Sequence, residues 1–346
     1  MRSDQFQLAL ERYLRAHVQG LAGPLHVAPV GGAGQSNPTY FVDIDDRRFV
    51  LRRQPDGDLL PSAHAIDREY RVMTALMHSD LPVPKTVLYC ASPDIVGTPF
   101  YLMERLDGRI FGDATLPGIA PSERRDIYLE MARVMAVLHS LNTSTLGLDD
   151  YGKTGNYFQR QVARWRQQWM NSKTHENHEL DTLIAWLSDN VPEENVRALV
   201  HGDFKLNNLM FHPVEPRVIA VLDWELSTLG NPLADLAFNC AAWRAMPDEF
   251  GGIRGLDLAG LGIPTELEFV AHYRDSGGNP SGLSPFHFAF SFMRWSVIFE
   301  GIAARARHGN AVNSRAQTVG ALATPMALRG LEALQLASPG NNSAFA

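Results

Sequence analysis

Three polar residues set what this chain can be built around. In HGDFKLNN (201–208) and VIAVLDWE (218–225), Asp203, Asn208 and Asp223 stand five and then 15 residues apart. The last of them directly follows a five-residue apolar run, VIAVL, which reads as a buried strand with a carboxylate at its tip. The segment is therefore expected to run strand, tight loop, strand, with two acids and an amide converging. A carboxylate on such a loop can accept a hydroxyl proton, while an amide oxygen and a second carboxylate are hard oxygen donors of the kind that hold Mg²⁺. Surface turns would explain an isolated HGD, but not the complete set.

Length and charge narrow the classes. At 346 residues the chain has room for roughly two compact units of about 150 residues each. Its 45% hydrophobic and 20% charged composition is that of a globular protein, which excludes disordered and fibrous readings. A net charge of −7 gives no general attraction to nucleic acid or an anionic membrane, so neither is expected as a partner. Two cysteines, Cys90 and Cys240, exclude a disulfide scaffold and a zinc ribbon and point to a reducing cytoplasm. The start, MRSDQFQLALERYLRAH, is charged and helix-like, and no apolar run approaches the roughly 20 residues of a membrane span.

Periodicity divides the chain into a β-rich and a helical part. A short helix is expected over 4–18, strands over 39–44 and 48–52 in hairpin spacing, a helix over 63–78, and strands over 86–90 and 100–104. That helix carries Ile66, Tyr70, Met73 and Met77 at steps of 4, 3 and 4. Further helices are expected over 121–141, 157–169 and 180–189, and from the strand at 218–222 the pattern is helical to about 336. The last residues, ASPGNNSAFA, are small and polar and are expected to fray.

The constellation resembles the aminoglycoside phosphotransferase and choline kinase superfamily over nearly the whole chain. That resemblance implies an α+β, protein-kinase-like two-lobed fold. A small, mainly antiparallel N-lobe with one key helix would span 1–105, and a larger, mainly helical C-lobe 106–335, ahead of a flexible tail, 336–346. It implies ATP and Mg²⁺ as cofactors. HGDFKLNN matches H-G-D-x-x-x-x-N, so Asp203 corresponds to the catalytic base and Asn208 to a metal ligand, and LDWE puts Asp223 at the metal-binding acid. His201 would brace the loop, and Asp235 in GNPLADLAF is similar to a buried acid that caps the loop backbone from a helix start.

The earlier half offers matching parts. GGAGQSN (31–37) presents the backbone amides of Gly32, Gly34, Gln35 and Ser36 to nucleotide phosphates. A dinucleotide-binding turn would need a third glycine and a following helix, and the GxxxxGK[ST] pattern is absent. In a kinase-like arrangement a third-strand cation meets the phosphates and is held by a helix glutamate. Arg52 in FVLRR and Glu69 in REY fill those places, with Arg53 as the alternative if the register differs by one. FYLMERLDG resembles the hinge between lobes, with the Glu104 carbonyl and the Leu106 amide toward the adenine edge and Met103 lining its pocket.

The acceptor is argued from the C-terminal helices. Residues 280–330 hold Arg294, Arg305, Arg307, Arg315 and Arg329 against Glu300 alone, which favours an anionic substrate over a polycationic aminoglycoside. The acidic stretch 176–195 reads as a solvated helix face. YGKTGNYFQRQVARWRQQW (151–169), LDWELSTLGNPLADLAFN (222–239) and FEGIAARARHGNA (299–311) resemble the phosphotransferase domain found fused to acyl-CoA dehydrogenases. That branch implies a small-molecule hydroxyl on an acyl chain as acceptor, 4-hydroxyacyl-CoA foremost, and no FAD. Phe286, Phe290, Met293 and Val297 would line an acyl channel, with Arg294, Arg305 and Arg307 for the CoA phosphates. An aminoglycoside or sugar kinase, a nucleotide-binding pseudokinase and a protein kinase are the competing classes.

Overall fold

The computed structural model describes residues 3–31, 37–57, 65–193, 196–307 and 316–335. Its helices are α1 (Ser3–His17), α2 (Ile66–Leu76), α3 (Pro121–Ser140), α4 (Tyr157–Ser172), α5 (His178–Asp189), α6 (Leu233–Cys240), α7 (Leu258–Leu261), α8 (Glu266–Asp275), α9 (Pro285–Arg307), α10 (Ala316–Gly320) and α11 (Ala323–Gln335). Its strands are β1 (Leu25–Pro29), β2 (Thr39–Ile44), β3 (Arg47–Arg53), β4 (Thr86–Cys90), β5 (Phe100–Glu104), β6 (Ala198–Val200), β7 (Leu209–Phe211), β8 (Val218–Val221) and β9 (Thr228–Gly230). Among the described residues no helix is long and apolar enough to cross a membrane.

The chain forms two units. One holds Met1–Arg109, Ser144–Leu148 and Asn208–Ser227, and the other holds Ile110–Thr143, Asp149–Asn207 and Thr228–Ala346. Residues 208–227, which the sequence places in the second lobe, group with the first unit. The reason is pairing: the Val221 amide donates to the Pro82 carbonyl, and Arg109 bridges to Phe211.

In the first unit, alternation along the strands separates core from chemistry. The sheet order is β1-β2-β3-β5-β4 with every neighbouring pair antiparallel. Ile44 pairs with Arg47, so the β2–β3 turn is Asp45 and Asp46 alone, and Arg47, expected in the connection, opens β3. Phe49 and Leu51 of β3 face the same way as their partners Val42 and Leu102 and join a core with Leu10 and Leu14 of α1. Arg52 and its cross-strand neighbour Tyr101 fall on the opposite face. Helix α2 packs on β4 and β5, burying Ile66, Glu69, Val72, Met73 and Leu76. Its buried face thus differs from the expected stripe, because Glu69 and Val72 turn inward where Tyr70 and Met77 were expected.

The second unit is built around α9, which is buried on nearly all sides, as a central helix requires. Phe286, Phe290, Met293 and Val297 pack with Phe158, Trp169, Leu180 and Leu187, while Phe292 and Phe299 enter a second cluster with Phe238 and Met326. The stripe expected to line an acyl channel is core. Short strands β6 and β9 pair antiparallel, and β6 leads into the residues of HGDF.

One glycine in the first unit has no room for a side chain. A Cβ on Gly108 would stand 2.5 Å from the Phe211 carbonyl oxygen. Gly108→Ala is expected to cost about 1–3 kcal/mol in urea unfolding, because backbone must move. An unchanged midpoint would show that Gly108 and β7 are not packed as described.

Candidate active site

In the first unit the buried charges are arranged around one glutamate. The Arg52 Nε lies 3.4 Å from Glu69 Oε2, and Arg52 Nη2 donates to Asp223 Oδ1 at 3.1 Å. Arg52 is 11% exposed and Glu69 1%, so the pair sits where charge is costly without partners. Glu69 is further held by Asn37 Nδ2 at 2.6 Å and the Tyr101 hydroxyl at 2.9 Å. Burial raises the Glu69 pKa, against the opposing pull of Arg52 and the bonds from Tyr101 and Asn37. Burial works against the charge of Arg52, but Tyr101, Glu69 and Asp223 outweigh it and keep the guanidinium ionised. Arg53 is excluded from this cluster by the two-residue strand period and pairs instead with Asp56 at 2.8 Å.

The two candidate metal ligands are brought together by β7 and β8. Leu209 pairs with Val221, and the Leu222 amide donates to the Asn208 carbonyl at 2.8 Å, so Asn208 and Asp223 flank one short ladder. Asp223 takes a left-handed backbone, φ 65° and ψ 62°, which a non-glycine residue adopts at a cost. Its side chain is 30% exposed, and beyond Arg52 it has no partner among the described residues. Carboxylate and amide oxygens are the donor types Mg²⁺ takes, so this pair fits that ion.

In the second unit the acid of HGDF sits on a loop whose backbone is tied at nearly every residue. Asp235, near the start of α6, accepts from the amides of His201 at 2.6 Å and Gly202 at 2.9 Å. One turn later Asn239 donates to the Phe204 carbonyl at 2.6 Å, so positions i and i+4 of one helix grip both ends of the loop. Gly202 has φ +83°, and its carbonyl accepts from Arg294 of α9 at 2.6 Å. His201, fully buried, accepts the Asp203 amide at Nδ1. The Asp203 carboxylate lies 2.9 Å from Lys205 Nζ. Burial alone would raise the Asp235 pKa, but bonds and charge from His139 and the His201 amide hold it below the usual carboxylate value.

Gly32, Gly34, Gln35 and Ser36 lie outside the described residues. Met103 is buried on β5, and the Glu104 carboxylate accepts the Lys85 amide at 2.9 Å. Leu106 follows β5 in the connecting segment. Arg294 is not a surface cation for substrate phosphates: it is 4% exposed, its guanidinium lies 5.1 Å from the Phe238 ring centroid, and it serves the Gly202 carbonyl. Arg329 is neutralised by Glu249 and Glu332, both outside the counted window, so the count along 280–330 overstates its free charge. Arg305 is exposed, and the side chains of Arg307 and Arg315 lie outside the described residues.

Asn37, Tyr101, Asn239 and Lys205 were not singled out from the sequence. Tyr101 could have been found by pairing β3 with β5, and Asn239 by its i+4 spacing from Asp235.

Residues 27–269 match the phosphotransferase enzyme family. The chain is 44% identical over 329 residues to acyl-CoA dehydrogenase family member 10 of Mus musculus, covering 93% of this chain and 30% of that protein. It is 42% identical over 333 residues to family member 11 of Rattus norvegicus, covering 94% and 42%. The chain thus spans less than half the length of these relatives. A solved Ralstonia eutropha protein, named as a candidate aminoglycoside phosphotransferase, aligns with a TM-score of 0.86 at 44% identity over 95% of this chain and 98% of that one. An aminoglycoside phosphotransferase solved with AMP-PNP and hygromycin B shares the fold, with a TM-score of 0.61 at 16% identity over 96% and 99%. The fold is therefore the two-lobed, kinase-like α+β fold.

Asp235→Asn is expected to destabilise the second unit by about 3–5 kcal/mol, since one partner of a buried charged cluster is neutralised. The sign with pH follows from the depressed folded pKa. The carboxylate's contribution is complete above the unfolded value near 3.9 and is lost as pH falls through the folded one. Urea midpoints measured from pH 6 to pH 3 should fall less steeply in the variant, and parallel curves would contradict the assignment.

Proposed function

Because the chain belongs to the phosphotransferase enzyme family, we propose that it transfers the γ-phosphoryl group of Mg-ATP to the hydroxyl of a small molecule, a 4-hydroxyacyl-CoA. One observation carries the phosphotransfer reading: Asp203 stands on a loop held from α6 and α9, with its carboxylate 2.9 Å from the Lys205 ammonium. A base held this way can take the acceptor's hydroxyl proton as the oxygen bonds to the γ-phosphorus and the bond from that phosphorus to the β-bridging oxygen breaks. ADP leaves with the electron pair. Lys205, 2.9 Å from Asp203, offers positive charge where the transferred oxygens accumulate negative charge. Arg52, anchored by Glu69, would meet the nucleotide phosphates as a fixed, forked cation. Asn208 and Asp223 would hold Mg²⁺, which supplies charge neutralisation on the β- and γ-phosphates.

The acceptor rests on the resemblance to the domain joined to acyl-CoA dehydrogenases and on the printed names of the relatives. A pool of hydroxyacyl-CoAs, sugars and aminoglycosides incubated with enzyme and Mg-ATP tests it by mass. A 4-hydroxyacyl-CoA should gain one phosphate. Phosphorylation of a kanamycin-like polycation with the CoA esters untouched would overturn the acceptor, and no phosphorylated product at all would overturn the activity.

Two substitutions separate the roles. Asp203→Asn should lower kcat about 10²- to 10⁴-fold with nucleotide affinity nearly intact, because a proton acceptor is lost and no charge clash is added. Asp223→Ala should instead shift the Mg²⁺ dependence of turnover to higher concentration. Near wild-type kcat in the first, or an unchanged Mg²⁺ curve in the second, would contradict the respective assignment.

A further inference from the structure

The segment YGKTGNYFQRQ takes no part in the chemistry above, yet it lines a cavity of about 180 Å³ in the second unit. Lys153, Arg160 and Arg197 stand around that cavity, Tyr157, Leu229 and Gly230 complete it, and none of its lining residues is acidic. Elsewhere in this unit cations are commonly met by carboxylates, as Arg125 is by Glu268, Arg133 by Glu130 and Arg244 by Glu266. Here, among the described residues, no carboxylate pairs with the three cations.

Two of the three cations are nonetheless fixed. Arg160 Nη1 donates to the carbonyls of Thr154 at 2.7 Å and Gly155 at 2.5 Å. Arg197 Nη2 donates to the carbonyls of Asp149 at 2.8 Å and Gly152 at 3.3 Å. A carbonyl bond through one nitrogen orients a guanidinium without cancelling its charge, and leaves its other N–H groups for a ligand. The surrounding backbone is equally constrained. A Cβ on Gly152 would stand 2.7 Å from the Leu229 amide nitrogen, and one on Gly230 would stand 2.6 Å from the Tyr157 ring. Burial pushes the Tyr157 hydroxyl up to about 12, with Arg294, Arg164 and Arg160 pulling against it and Asp235 adding to it.

Such a cluster repels itself unless an anion occupies it. Its position also suits a long ligand. Arg197 directly precedes β6, and the four residue steps from it to His201 cover roughly 13 Å at the usual rise of a strand. The cations therefore stand at one end of β6 and the loop of Asp203 at the other.

Taking the acceptor class proposed above as its premise, we infer that this cavity binds the phosphate-bearing nucleotide end of a coenzyme A thioester, held by Lys153, Arg160 and Arg197 while the acyl end extends toward Asp203. This moves the CoA phosphates from α9, whose Arg294 is buried, to the loop before α4.

Calorimetric titration with desulfo-coenzyme A in the absence of ATP reads the site without turnover, and KM for a hydroxyacyl-CoA against the matching hydroxyacyl-pantetheine reads it during turnover. Lys153→Glu and Arg197→Gln should each weaken desulfo-coenzyme A about tenfold and raise KM for the CoA ester, with the pantetheine ester's KM moving less than threefold. Lys153 makes no bond to a described residue, so this variant should keep the wild-type Tm and fold. Unchanged binding and KM in both variants, while the wild type phosphorylates the ester, would overturn the site and leave the proposed activity standing. Charge-dependent binding of desulfo-coenzyme A by an enzyme that phosphorylates no CoA ester would support the site and overturn the acceptor. Equal competition by inorganic phosphate at the same concentration would reduce the site to an anion hole and overturn the inference.

Discussion

Burying Glu69 is the constraint on which the charged cluster of the first unit depends. A carboxylate at 1% exposure is tolerated only with cations and donors around it, and three groups supply them from different parts of the first unit: Arg52, Tyr101 and Asn37, while Asp223 shares the Arg52 guanidinium and its negative charge works against that of Glu69. Sheet register puts Arg52 and Tyr101 side by side, helix phase turns Glu69 inward, and the β7–β8 ladder carries Asp223 to the same guanidinium. Removing one partner leaves an uncompensated charge, so fold and site are specified together. The left-handed backbone at Asp223 shows a residue held by its surroundings against its local preference.

The second unit solves a different problem, that of holding a loop still with backbone bonds. HGDF follows a strand of only three residues, β6, which cannot fix it alone. Helix α6 takes the amides through Asp235 and a carbonyl through Asn239, and α9 takes the Gly202 carbonyl through Arg294. His139 of α3 in turn supports Asp235, and Tyr273 of α8 contacts His139. A charged residue in the middle of an apolar helix is costly, and among the described residues Arg294 is compensated by aromatic faces and one short bond rather than by a carboxylate.

Much of the site was legible because its chemistry is local in sequence. Asp203, Asn208 and Asp223 announce themselves by spacing and by the apolar run before the second acid, and Asp235 by its place at a helix start. Arg52 and Arg53 could not be separated without register, since a one-residue slip exchanges the faces of a strand. The cations of 280–330 misled for a related reason: a count along the chain sees neither that Arg294 points into the core nor that Glu249 and Glu332 reach Arg329. The Phe286 stripe was visible, but periodicity cannot tell the wall of a channel from the face of a central helix. Lys153, Arg160 and Arg197 share a cavity only because Gly152 and Gly230 let the loop lie against β9.

The proposed phosphotransfer stands or falls on nucleotide binding by the Arg52 cluster. Calorimetric titration of the intact chain with ADP, with and without Mg²⁺, measures it apart from any acceptor. Affinity should weaken when Mg²⁺ is withheld, and Arg52→Met should weaken it further while Arg53→Met does not. ADP affinity indifferent to both Mg²⁺ and Arg52 would contradict the account.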